Sequence, residues 1–194
     1  MPTGIAIRDV REQLFAAADR ILLRDGPSGL TSRAVTMEAG CAKGVLHRHF
    51  ADFDAFLAEF VLDRVEKMDP RAAALRAAAG SGTVVDNLTG ALMALFGSVA
   101  VAIVALVIFR DDLRARLRET WPAGVPVLTE AAGVIASYLR AERDLGRIAA
   151  HADVDTLAAM LIGSSHLLFA DRTAAPPEAA AVSKVVRTVL AGVA

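Results

Sequence analysis

From Asn87 to Phe109 the chain carries no charged residue. A run of that length either crosses a bilayer or forms the buried heart of a helical protein. Its internal punctuation favours the second reading. Gly90 and the Gly97-Ser98 pair interrupt it, no aromatic belt flanks it, and Ser98 can cap a new helix after a glycine break. Two buried helices, roughly 84–96 and 99–118, are expected, since a helix enclosed on all sides can be apolar all round. No membrane partner is expected.

The surrounding composition extends that reading. The chain is 55% hydrophobic, Ala-rich and only 5% aromatic, with few runs of β-branched residues bounded by turns, which favours helices over sheets. The expected fold class is all-α. A length of 194 residues suits one extended domain or a small module joined to a larger one.

Net charge is −1 and the isoelectric point about 6.4, so no global field draws this protein to nucleic acid or to an acidic membrane. Any DNA affinity has to be local. Cys41 is the only cysteine, which excludes an intrachain disulfide and a cysteine-cluster metal site and fits a reducing compartment. Met1 to Val10 lacks a charged segment followed by an apolar run, so no secretory signal is read and a cytoplasmic location is expected.

Helical spacing of Val10, Leu14, Ala17, Ala18, Ile21 and Leu22 marks a first helix that Gly26-Pro27 stops. Thr31 or Ser32 then caps a brief helix through Ala39, Gly40-Cys41-Ala42 turns the chain, and a second short helix runs from Lys43 to His49. Phe53, Phe56, Leu57, Phe60, Val61 and Val65 mark the next helix, with Asp69-Pro70 as its stop. Arg71 to Gly82 reads as a helical extension fraying into a linker. Beyond the apolar run come helices at about Val127–Leu145, Asp153–Ala170 and Glu178–Val193. Nothing later in the chain covers the last two stripes, so a four-helix bundle with a second copy is expected.

Two short helices joined by a tight turn and held against a longer one form a helix-turn-helix, whose second short helix enters the major groove. Val35, Ala39, Leu46 and Phe50 pin the pair together, and Gly40 supplies the turn's left-handed residue. Lys43, His47 and Arg48 are left on the free face. From Thr31 to Phe50 the cations Arg33, Lys43 and Arg48 face only Glu38, so the motif is basic within a neutral chain and phosphate neutralisation can act there.

The run from Thr31-Ser32-Arg33 through Ala39-Gly40-Cys41-Ala42-Lys43-Gly44-Val45-Leu46-His47-Arg48-His49-Phe50, then Asp52 to Leu57, resembles the TetR family of regulators over roughly residues 8–65. The resemblance implies an all-α homodimer, usually a repressor. It implies an N-terminal three-helix bundle that binds operator DNA and a variable C-terminal helical domain for ligand binding and dimerisation, divided here as 1–51 and 52–194. Thr31, Ser32, Arg33, Lys43, Val45, His47, Arg48 and His49 are the DNA-binding candidates. The sequence departs from the family pattern at Val45, where Thr is usual, at His47, where Tyr is usual, and at Phe53, where Lys is usual. Val45 offers a methyl surface to thymine and His47 a donor, which implies a different operator preference.

Small ligands bind where apolar walls surround a few polar groups, and Leu92, Phe96, Val99, Ile103, Leu106, Tyr138 and His166 are the candidates for such a pocket. They carry no buried charge, which points to a small apolar effector. Asn87, Thr89, Ser98 and Ser137 could orient it or be ordinary buried polar residues. His166 has no ligand-spaced partner, so no metal and no cofactor are expected. Cys41 reads as a packing residue before a redox switch. No Ser-His-Asp order, phosphate loop or dinucleotide fingerprint is present, so the chain is not read as an enzyme. The resulting reading is a repressor released from its operator by a small apolar molecule; alternatively, the chain is a DNA-independent carrier of apolar ligands, which salt-dependent DNA binding would exclude.

Overall fold

The computed structural model describes residues 7–171 and 175–194, and those residues are helical with no strand. The helices in chain order are α1 (Ile7–Asp25), α2 (Ser32–Glu38), α3 (Val45–His49), α4 (Phe53–Glu66), α5 (Asp69–Ala77), α6 (Val84–Phe96), α7 (Ala100–Phe109), α8 (Asp111–Thr120), α9 (Pro126–Asp144), α10 (Val154–Phe169) and α11 (Ala179–Val189). A single 3-10 turn, Pro27–Gly29, joins α1 to α2.

The chain forms two compact units. One runs to Asp63 and adds Ala102–Ala123; the other is Arg64–Val101 with Gly124–Ala194. This partition by compactness differs from the division expected from sequence at residues 1–51 and 52–194. The boundaries fall within α4, within α7 and between α8 and α9.

The first unit is organised by aromatic packing. Phe15 of α1 lies 5.9, 5.6 and 5.8 Å from Phe50, Phe56 and Phe60, and Phe50 meets Phe56 edge-on at 5.1 Å. Such pairs contribute roughly 0.5–1.5 kcal/mol beyond their burial. Leu14, Leu22, Val35 and Leu46 are fully buried beside them. Asp52 starts α4 by accepting the Ala55 backbone N–H at 2.7 Å, and that bond, followed by Arg116, holds its carboxyl below the ordinary range.

In the second unit α6, α9, α10 and α11 pack around Leu88, Leu92, Ile135, Leu139, Leu161, Val182 and Val186. α11 packs against α6, and Val182, Val186 and Leu190 are buried in this chain's own core. The expectation that this stripe lacks a partner in the chain is therefore corrected: α6, far earlier in sequence, covers it.

Three further boundaries differ from the sequence reading. The expected helix 99–118 is two helices, because Arg110 adopts an extended backbone (φ −120°, ψ 100°) and caps α8. Pro70 ends one helix and begins another, since a proline without an N–H costs nothing in a first turn. The fraying expected from residue 71 is absent through Ala77, and the turn after it is held by Gly80 and Gly82 with φ of 81° and 55°. The break at Gly97-Ser98 is as expected, with Ser98 Oγ accepting from the Ala100 N–H at 3.3 Å. Among the described residues no single helix is long and apolar enough to cross a membrane; α6 and α7 together are, but they bend by 55°.

Candidate nucleic-acid interface and effector pocket

The helix-turn-helix is assembled by local rules. Thr31, extended at φ −126°, caps α2 by accepting the Ala34 N–H at 3.1 Å. Gly40 turns the chain at φ 66°, and a Cβ there would meet nothing within 4 Å, so conformation, not space, requires the glycine. Val35, Leu46 and Phe50 are buried between the helices. α3 begins at Val45, which leaves Lys43 in the turn just ahead of it.

The candidate contacts divide by exposure. Thr31, Arg33, Lys43, His47 and Arg48 are exposed, whereas Ser32, Val45 and His49 are half-buried. The Ser32 carbonyl accepts the Thr36 hydroxyl at 3.0 Å. Thr31 has its oxygen committed to the cap. The His49 carbonyl takes a 3.4 Å bond from Arg11, whose guanidinium also lies 4.5 Å from the Phe50 ring centroid and pairs with Glu59.

The one acidic residue of the motif is withdrawn from the interface. Glu38 accepts from Arg20 at 2.7 Å and from Arg24 at 3.1 Å, both on α1, and those two guanidinium groups hold its carboxyl below the ordinary range. Arg33, Lys43 and Arg48 make no ion pair with any described residue. The motif thus presents three uncommitted cations with its only carboxylate already satisfied, as an anionic backbone requires.

Cys41 is half-buried, and its thiol donates to the Ala39 carbonyl at 3.6 Å, in keeping with a packing role.

The effector candidates do not form one cluster. Leu92 lines a cavity in the second unit. Phe96 is buried between His166, at 6.0 Å between ring centroids, and Phe169, at 5.7 Å. Val99 is half-buried in the α6–α7 turn, while Ile103 and Leu106 are buried in the first unit. Tyr138 is fully buried, donates to Glu142 Oε1 at 2.5 Å and accepts from Asn87 Nδ2 at 2.9 Å. Burial, and then that bond to Glu142, push its phenol up to about 12.

Sequence reasoning missed two features of this unit. Glu142 is fully buried, which corrects the expectation of no buried charge. It accepts from Gly80 N at 3.3 Å and faces Arg147 Nη1 at 3.3 Å, while Arg147 Nη2 donates to the Gly82 carbonyl at 2.6 Å. The Gly146 turn that folds Arg147 back (φ 75°) was visible in sequence; the pairing was not. The second feature is the cavity itself, of about 70 Å3, several times the roughly 10–15 Å3 that admits one water. Met68, Ala72 and Leu75 form one wall, Ala91, Leu92 and Leu95 another, and Ala131, Val134 and Ile135 the third. The i, i+4, i+7 spacing of Met68, Ala72 and Leu75 was the available signal.

No protein-family model and no curated protein matches this sequence. Solved structures do. Escherichia coli NemR in its reduced form aligns with a TM-score of 0.75 at 16% identity, covering 96% of this chain and 98% of its own. A TetR-family regulator of Rhodococcus aligns at 0.69 and 19% identity over 95% and 100%. Bacillus subtilis FadR, solved with stearoyl-CoA, aligns at 0.69 and 17% identity over 94% and 99%. The Rhodococcus protein and FadR are described as transcriptional regulators. From the first helix to the last, this chain has the all-helical fold of the TetR-family transcriptional regulators.

Proposed function

We propose that this protein is a homodimeric, ligand-responsive transcription regulator of the cytoplasm, without catalytic activity, that represses by occupying an operator until a small, largely apolar molecule releases it. One observation carries the reading. The helix-turn-helix presents Arg33, Lys43 and Arg48 uncommitted while Glu38 is tied back onto α1. Lys43 and Arg48 serve phosphates. His47 and Val45 meet base edges, with Thr31, Ser32, Arg33 and His49 at the flanks.

The dimer is formed by the outer face of α10. Met160 is 49% and Leu167 77% exposed, and Gly163 between them allows a second helix to approach closely. Two recognition helices must then match successive major grooves, about 34–36 Å apart. A ligand that favours another spacing releases DNA without touching it. Residues 1–51 serve DNA, and residues 52–194 serve the ligand and the dimer. Selection of binding sites from a randomised duplex library by the purified protein tests the reading. Recovery of a two-fold symmetric site supports it, and recovery of no enriched sequence contradicts it.

A further inference from the structure

We propose that the cavity between α5, α6 and α9 takes an amphiphilic monoanion, an apolar body carrying one carboxylate-like head, with Arg71 as its counter-ion. The inference rests on the regulator reading above and names the chemical class of its effector.

Every residue lining the cavity is apolar except Arg71. Ala72, Leu75, Leu92, Ala131 and Ile135 form a buried wall, which suits a hydrocarbon segment and offers no partner to a second polar group. Met68 adds a pliable thioether side chain that can re-pack around differing shapes. Arg71 is exposed on the first turn of α5 and makes no ion pair with any described residue. In the same compact unit, Arg140 and Arg147 each hold a carboxylate instead. An uncommitted guanidinium over an apolar hollow suits a ligand with one anionic end, because the planar fork binds a carboxylate through two parallel bonds. A neutral hydrocarbon would leave that capacity unused, and a dianion would find no second cation among the lining residues.

Isothermal titration of the full chain with octanoate and with 1-octanol, matched in length and differing in charge, tests the assignment. Octanoate is expected to bind one per chain and about tenfold more tightly than octanol, the preference one partly exposed charge-assisted pair can supply. Arg71→Gln should reduce octanoate to the affinity of octanol, and Arg71→Lys should retain part of the preference. Ala94→Trp, at an exposed lining position, should weaken both ligands by filling the mouth. Equal binding of the two ligands by the wild type, an unchanged preference in Arg71→Gln, or no binding of either by protein that still selects DNA would overturn the proposal. Octanoate binding by a chain that selects no DNA would support the pocket and refute the regulator reading instead.

Discussion

Arg110 and Asp54, 56 residues apart in sequence, meet in an ion pair in which Nη2 and Nε reach the same carboxylate oxygen at 2.7 and 3.2 Å. Arg116 pairs with Asp52 at 2.9 Å beside them. Asp52 caps α4 and Asp54 lies in its first turn, a few residues after α3. The segment 102–123 therefore holds the start of the helix that follows α3.

Arg110→Ala removes that pair and the guanidinium that lies 5.6 Å from the Phe53 ring centroid. Both partners are partly solvated, at 36% and 25% exposure, so the loss is about 0.5–1 kcal/mol, or roughly 1–4 °C in Tm. A double-mutant cycle with Asp54→Ala checks it; zero coupling energy would contradict the pair's contribution.

Val186→Asp and Leu167→Glu should part company. Val186 is fully buried against its own chain, so the aspartate buries an unpaired charge and unfolds the second unit at a cost of several kcal/mol. Leu167 projects into solvent, so its glutamate variant should keep the helical content and melt of the monomer while dissociating the dimer. Analytical ultracentrifugation with circular dichroism reads both; a Leu167→Glu dimer of full affinity would place the interface elsewhere.

The sequence foretold the helix-turn-helix because its signals are local: Gly26-Pro27, the Thr31 cap and the Gly40 turn each act within a few residues. It misled where the deciding partner lay far away, as when the α11 stripe found its cover in α6. The Glu142–Arg147 pair is local, but no hydropathy pattern announces that the Gly146 turn folds a guanidinium back onto a buried carboxylate. The break at Arg110 carried neither glycine nor proline to announce it. Leu92 was anticipated as a pocket residue, whereas Arg71 and Ala72 lay in a segment read as a helical extension fraying into a linker, and Met68 just ahead of the Asp69-Pro70 stop. Ile103 and Leu106 fell into the other compact unit because apolar composition does not say which core a helix joins.

Tyr138 is the only tyrosine, so absorbance near 295 nm reports it directly. Its phenol, pushed up to about 12 in the folded chain, titrates near 10 when unfolded. The folded pKa is the higher, so this group's stabilisation is fully present below pH 10 and is lost as pH rises from 10 through 12. Tyrosinate appearing near pH 10 in native protein would contradict the account. Tyr138→Phe should lose this pH dependence.

Arg147→Ala strands the Glu142 carboxylate in the core. Removal of one partner from a buried pair costs about 3–5 kcal/mol, with the lower end expected because Arg147 keeps 28% exposure. Urea unfolding measures it. A loss below about 1 kcal/mol, the range of exposed pairs, would show that the pair is solvated in solution.

The central claim, that the basic face of the helix-turn-helix holds DNA, is tested most directly by the salt dependence of operator affinity, measured by fluorescence anisotropy on a site selected by the protein. Each phosphate neutralised contributes about −0.9 to the slope of log K against log salt. The wild type should give a steep negative slope, and Lys43→Ala and Arg48→Ala should each flatten it by about one unit per half-site contacted, or about two each when both half-sites of the dimer are bound. A His47→Ala variant should keep the slope and change base preference. Binding that ignores salt, or a slope unmoved by both cation substitutions, would contradict the account.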